Sequence, residues 1–136
     1  MKININDPNI SLEEILENTI TYYSEDPTRR CVRDGNCAYN PKTVGNLNSE
    51  GCAIGRLLPD DVTLKMDEDM QNDSITNIIE SEFVRLLPYK ITEYPIFFQK
   101  LQDFHDDGEN FDGTGITEPG KSKVQEIRNY IYSLQS

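Results

Sequence analysis

Three cysteines and one histidine hold the nucleophilic and metal-binding options of this chain: Cys31, Cys37, Cys52 and His105. Cys52 lies in Gly51-Cys52-Ala53-Ile54-Gly55-Arg56-Leu57-Leu58-Pro59-Asp60, where the pattern predicts two helical turns over 52–58, entered from Ser49 or Gly51 and stopped by Pro59. A thiol in the first turn of a helix feels the partial positive charge there, which lowers its pKa and raises the reactive thiolate fraction. His105, in Leu101-Gln102-Asp103-Phe104-His105-Asp106, is the only imidazole base in the chain, with Asp106 or Gln102 to orient it. Cys52 and His105 are thus the catalytic residues of an enzyme reading. Against it, cysteine is among the most buried residue types, and a histidine sharing a helix face with Phe98, Leu101 and Phe104 reads as a core residue with satisfied hydrogen bonds. A structural role is favoured for both.

Two other chemistries draw on neighbouring residues. Zinc would gather Cys37, Cys52 and His105 with a carboxylate such as Asp106, but the C-x5-C-x14-C spacing matches no common zinc module, so no metal is expected. A calcium loop aligned on Asp103, Asp107 and Gly108 puts Thr114 where the bidentate glutamate belongs. Arg29, Arg30, Arg33 and Arg56 form a positive island in an acidic chain, and guanidinium forks suit phosphate, with Tyr39 to stack on a base. That is a small-ligand or nucleotide reading. Its opposite is pairing with Glu25, Asp26, Asp60 and Asp61. The chain has neither a P-loop nor a dinucleotide fingerprint, and no cofactor is expected.

The elements that must position these groups read as follows. Ser11-Leu12-Glu13-Glu14 is a capping box, with Ile10 and Ile15 as a hydrophobic staple, and it opens a helix that Asp26-Pro27 stops. Asp34-Gly35 between Arg30-Cys31-Val32-Arg33 and Asn36-Cys37-Ala38-Tyr39 predicts a two-residue hairpin, with Val32 opposite Cys37 and Cys31 opposite Ala38. Cys31 and Cys37 then face opposite sides and remain free thiols. Residues 40–51 read as irregular, and 60–73 as a solvated acidic connector. Ile75, Ile78, Ile79, Phe83, Leu86 and Leu87 predict one amphipathic helix ended by Pro88. Pro95 starts another that carries Phe97, Phe98, Leu101, Phe104 and His105 inward to a stop at Gly108. Asp112-Gly113-Thr114-Gly115 is a turn, and Val124, Ile127, Ile131 and Leu134 mark the last helix. The expected class is α+β: a mainly helical single domain over 1–136, with four or five helices packed around a short antiparallel hairpin.

Charge narrows the partners. The 136 residues carry a net charge of -11, concentrated as -7 over residues 59–82 and -6 over 103–118. Such a chain repels phosphate backbones and favours basic protein partners, so general nucleic-acid binding is not expected. Asp67, Glu68, Asp69, Asp106, Asp107 and Glu109 are the candidate partner contacts. No apolar run approaches the roughly 18 residues of a membrane span. No export signal is read at residues 1–8, so the thiols are expected reduced in a cytosol. Oligomeric state is not legible.

The segments Cys37-Ala38-Tyr39, Gly51-Cys52-Ala53-Ile54-Gly55-Arg56-Leu57-Leu58-Pro59 and Leu101-Gln102-Asp103-Phe104-His105-Asp106 have a counterpart elsewhere. Over residues 30–107 the chain resembles small uncharacterised bacterial and phage proteins with C-x-Y, C-A-[IV]-G-x-[LI]-[IL]-P and L-Q-x-x-H-D segments in the same order, here with a longer polar insert at 40–50. The resemblance implies an origin and a cytosolic setting rather than a reaction. The functional expectation is a small acidic accessory protein that binds another protein and inhibits a host or defence factor. The Cys52–His105 enzyme and the arginine-island binder are its alternatives.

Overall fold

The computed structural model describes residues 3–33, 36–70 and 73–135, with the backbone alone for Asn36 and Cys37. Helix α1 (Leu12–Glu25) opens on the expected capping box: the Ser11 hydroxyl accepts from the Glu14 N–H at 3.0 Å, and the Glu14 carboxylate accepts from the Ser11 N–H at 3.2 Å. Its inward stripe is Ile15, Leu16, Thr19, Tyr22 and Tyr23, and extended Asp26 before Pro27 ends it. Strands β1 (Val32–Arg33) and β2 (Asn36–Cys37) pair antiparallel with Val32 opposite Cys37. The register is the expected one. The Asp34-Gly35 turn itself lies outside the described residues.

Three stretches differ from expectation, each for a local reason. The two-turn helix predicted over 52–58 is a single 3-10 turn, Gly55–Leu57, inside a segment buried from Gly51 to Leu58. Gly51 at φ 122° and Gly55 press this segment against the Tyr39 carbonyl, and that contact rather than helix propensity shapes it. The acidic connector is helix α2 (Asp60–Asp69), with Asp60 and Asp61 favourably placed in its first turn. Thr63, Met66, Asp67 and Met70 recur at helical spacing, and the first three are buried. The long helix predicted over 74–87 breaks at Ser81, whose hydroxyl donates to the Ile78 carbonyl at 2.7 Å and accepts from the Phe83 N–H at 3.1 Å. These local bonds end α3 (Ile75–Ile79) and start a 3-10 turn, Glu82–Leu86.

Helix α4 (Tyr89–Glu93) precedes α5 (Pro95–Asp106), which starts on Pro95 as expected. Gly108 does not cap α5: extended Asp107 does, and Gly108 opens a 3-10 turn. The turn at Gly113-Thr114 belongs to a second hairpin, β3 (Phe111–Asp112) with β4 (Gly115–Ile116). Thr117 caps α6 (Glu118–Leu134), which buries Val124, Ile127 and Ile131. Helix α5 packs against α3, α4, α6 and β2, while α1 packs against α6 and β4. The buried apolar side chains form one cluster. Among the described residues the fold is thus mainly helical α+β, with four helices of ten or more residues, two of five, and two small antiparallel hairpins. None of these helices is long and apolar enough to cross a membrane.

Candidate functional site

His105, Cys31 and Arg30 meet where the chain entering β1 crosses the end of α5, and Tyr23 links His105 to the buried Gly51–Leu58 segment that carries Cys52. His105 is fully buried. Its Nε2 accepts from the Cys31 N–H at 3.0 Å, which places the ring proton on Nδ1, 2.7 Å from an Asp106 carboxylate oxygen. Both ring nitrogens are therefore committed. Tyr23 lies edge-on to the imidazole at 4.9 Å between ring centroids and donates its hydroxyl to the Gly51 carbonyl at 2.6 Å. Burial pushes the His105 pKa below its ordinary value, against the bond and charge of Asp106, which push it up.

Among the described side chains no reactive thiol faces this imidazole. Cys31 is free but fully buried, and burial pushes its thiol up to about 11. Cys52 is disulfide-bonded, which corrects the expectation of reduced thiols throughout. Its sulfur accepts from the Gly55 N–H at 3.4 Å and lies in no α-helical first turn, so the activating helix start is missing as well. The side chain of Cys37 lies outside the described residues. Nucleophilic catalysis by Cys52 with His105 as base has no available thiolate and no free ring nitrogen. Among the described residues, no three His, Cys, Asp or Glu side chains gather as a metal site.

The arginine island is divided. Arg30 crosses to the end of α5, donating from Nε to the His105 carbonyl at 2.8 Å and from Nη2 to the Asp106 carbonyl at 2.7 Å. A cation thus caps the negative end of that helix. Arg29 and Arg56 instead flank the Tyr22 ring, their guanidinium carbons 4.7 and 4.6 Å from its centroid. Arg29 donates to the Tyr22 carbonyl at 2.8 Å and meets Glu25 at 3.4 Å, whereas Asp26 serves Thr28 and Asn48. Arg56 is wholly buried, bonded to Asn18 at 2.5 Å, with Nε and Nη1 lacking a protein partner. Burial lowers its pKa, and the π face of Tyr22 offsets part of the desolvation. Arg33 lies on β1, its Nη2 buried without a hydrogen-bond partner among the described residues. Arg30 serves the end of α5 while Arg29 and Arg56 serve α1, so these three do not converge on a common anion cradle.

The candidate acidic contacts divide too. Asp67 is buried and spends its carboxylate on the Tyr39 N–H and Asn40 N–H, both at 2.8 Å, and on the Thr43 hydroxyl at 2.6 Å. It cannot meet a partner. Asp106 is half-buried against His105, while Glu68, Asp69, Asp107 and Glu109 are exposed. Sequence reasoning missed this internal network and its extension through Gln102, which accepts from the Ile75 N–H and donates to the Tyr39 hydroxyl, both at 2.9 Å. The spacing of Thr63, Met66, Asp67 and Met70 was the available signal that Asp67 points inward. No known protein family, curated protein or solved structure matches this chain significantly.

Proposed function

We propose that this chain is a small acidic binding protein, of the phage or bacterial accessory kind its motifs resemble, that inhibits a host or defence protein by covering a basic site on it. One observation carries the reading. The candidate catalytic pair is consumed inside the fold, Cys52 in a disulfide and His105 by two hydrogen bonds, while a net charge of -11 stays with the molecule. Charge of one sign steers a partner of the other, raising the association rate more than the final affinity.

The test is capture from a bacterial lysate, followed by association kinetics with the captured protein. A basic partner whose association slows steeply as salt rises is expected. Reversing the exposed Glu68, Asp69, Asp107 and Glu109 to lysine measures their share. A neutral or acidic partner, with association indifferent to salt, would remove the proposal.

A further inference from the structure

An open groove of about 830 Å³ lies along α1, lined by Ile3 and Ile10 and by Glu13, Glu14, Glu17 and Glu25 of the helix. Among the described residues the lining contains four carboxylates and no lysine or arginine, with Arg128 reaching Glu17 and Arg29 reaching Glu25 from outside it. From Glu13 to Glu25 the helix advances roughly 18 Å at about 1.5 Å per residue, enough to lie beside three turns of another helix. The walls are fixed. The capping box holds the start of α1, and the Lys90 ammonium donates to the Ile10 carbonyl at 2.6 Å. Ile3 and Ile10 are only partly covered, so the groove keeps apolar surface beneath a charged rim.

We infer that this groove docks a basic amphipathic helix of the partner protein, an inference that rests on the acidic-binding reading above. Apolar side chains of that helix cover Ile3 and Ile10, and its lysines and arginines face the glutamates. The sign of the rim disfavours the other occupants: a nucleic acid brings phosphates, and a second copy of this chain brings the same four carboxylates. Glu17 already meets Arg128 and Glu14 serves the capping box, which leaves Glu13 and Glu25 as the positions to reverse. Glu25 is exposed in its 3.4 Å pair with Arg29, so the pair is weak.

The experiment titrates the intact protein against a labelled lysine–leucine peptide with helical amphipathic spacing, read by fluorescence anisotropy at low salt. The controls are a scrambled lysine–leucine peptide and a glutamate–leucine peptide. Glu13→Lys with Glu25→Lys is expected to weaken binding about tenfold. Reversal of Glu68, Asp69, Asp107 and Glu109 should change it less than about twofold. Urea midpoints check that each variant is folded, and Thr21→Lys, at an exposed groove position, replaces the double variant if that one unfolds. Equal binding of the scrambled peptide, or loss only with the second set of reversals, overturns the groove while leaving the acidic-surface reading intact. Absence of salt-dependent binding to either basic peptide overturns both. Concentration-dependent dimerisation abolished by the groove variants would assign the groove to self-association instead.

Discussion

At the scale of single residues, burial converts chemistry into structure. His105 has the components of a catalytic base, an adjacent carboxylate and a nearby cysteine, yet its ring is fixed between the Cys31 amide and Asp106 with no exposure. The neutral imidazole belongs to the fold. Desolvation lowers its folded-state pKa below the ordinary 6.5, with Asp106 opposing and Arg30 assisting that shift, so the unfolded chain binds the proton more readily. Stability contributed by neutral His105 is therefore fully present above about pH 6.5 and is lost as pH falls below it toward the lowered folded value. Urea midpoints of wild type and His105→Gln, a variant that keeps an acceptor for Cys31, should diverge between neutral pH and pH 5. The wild type should lose stability faster, by at most about 1.4 kcal/mol per pH unit. Parallel profiles would show that the imidazole does not titrate across folding. Asp67 makes the same point: a carboxylate expected at a partner surface instead serves two amides and a hydroxyl inside the molecule.

At the scale of elements, what was legible depended on whether a segment's fate is decided within it. Ser11 and Glu14 satisfy each other, Pro95 presets the start of a helix, and a two-residue loop fixes the register of Val32 with Cys37; all three follow from spacing alone. The Gly51–Leu58 segment is decided elsewhere, by the Tyr39 carbonyl. A Cβ on Gly55 would lie 1.9 Å from that oxygen, too close for any side chain to yield, whereas Gly113 has nothing within 4 Å. Gly55→Ala should thus cost about 3 kcal/mol or more in a urea titration, while Gly113→Ala stays within about 0.5 kcal/mol of wild type. Equal midpoints would mean that the segment shifts freely away from Tyr39. The break at Ser81 was illegible for a related reason: the apolar stripe from Ile75 to Leu87 continues across it, and only the hydroxyl's two short bonds to Ile78 and Phe83 choose a new turn over a continuous helix. In α2 the run of acidic residues hid the weaker inward stripe of Thr63, Met66 and Asp67.

At the scale of the whole molecule, charge and covalent chemistry pull on the compact state in opposite directions. Eleven uncompensated negative charges repel one another, a cost carried by the apolar cluster that α1, α5 and α6 build around the hairpins. The disulfide at Cys52 opposes unfolding by restricting the unfolded chain, typically by about 2–4 kcal/mol. It also bears on where the protein works, because such bonds persist in oxidising compartments and are rare in reducing cytosol, the setting that the phage and bacterial resemblance implies. The two settings predict different thiol chemistry for one chain. In the oxidised protein neither described sulfur reacts: Cys52 is bonded, and Cys31 is buried with its thiol pushed up to about 11. Both sulfurs are fully buried, so iodoacetamide at neutral pH should label neither until urea unfolds the chain; in urea Cys31 should label in every sample and Cys52 only after dithiothreitol, which should also lower the unfolding free energy by an amount within that range. Alkylation in urea at the moment of cell lysis then reads the state in vivo. Label on both Cys31 and Cys52 identifies a chain that works in a reducing cytosol without its crosslink. Label on Cys31 alone places it where the crosslink is kept. A urea midpoint unchanged by dithiothreitol would show that the bond at Cys52 adds nothing to the stability of the fold.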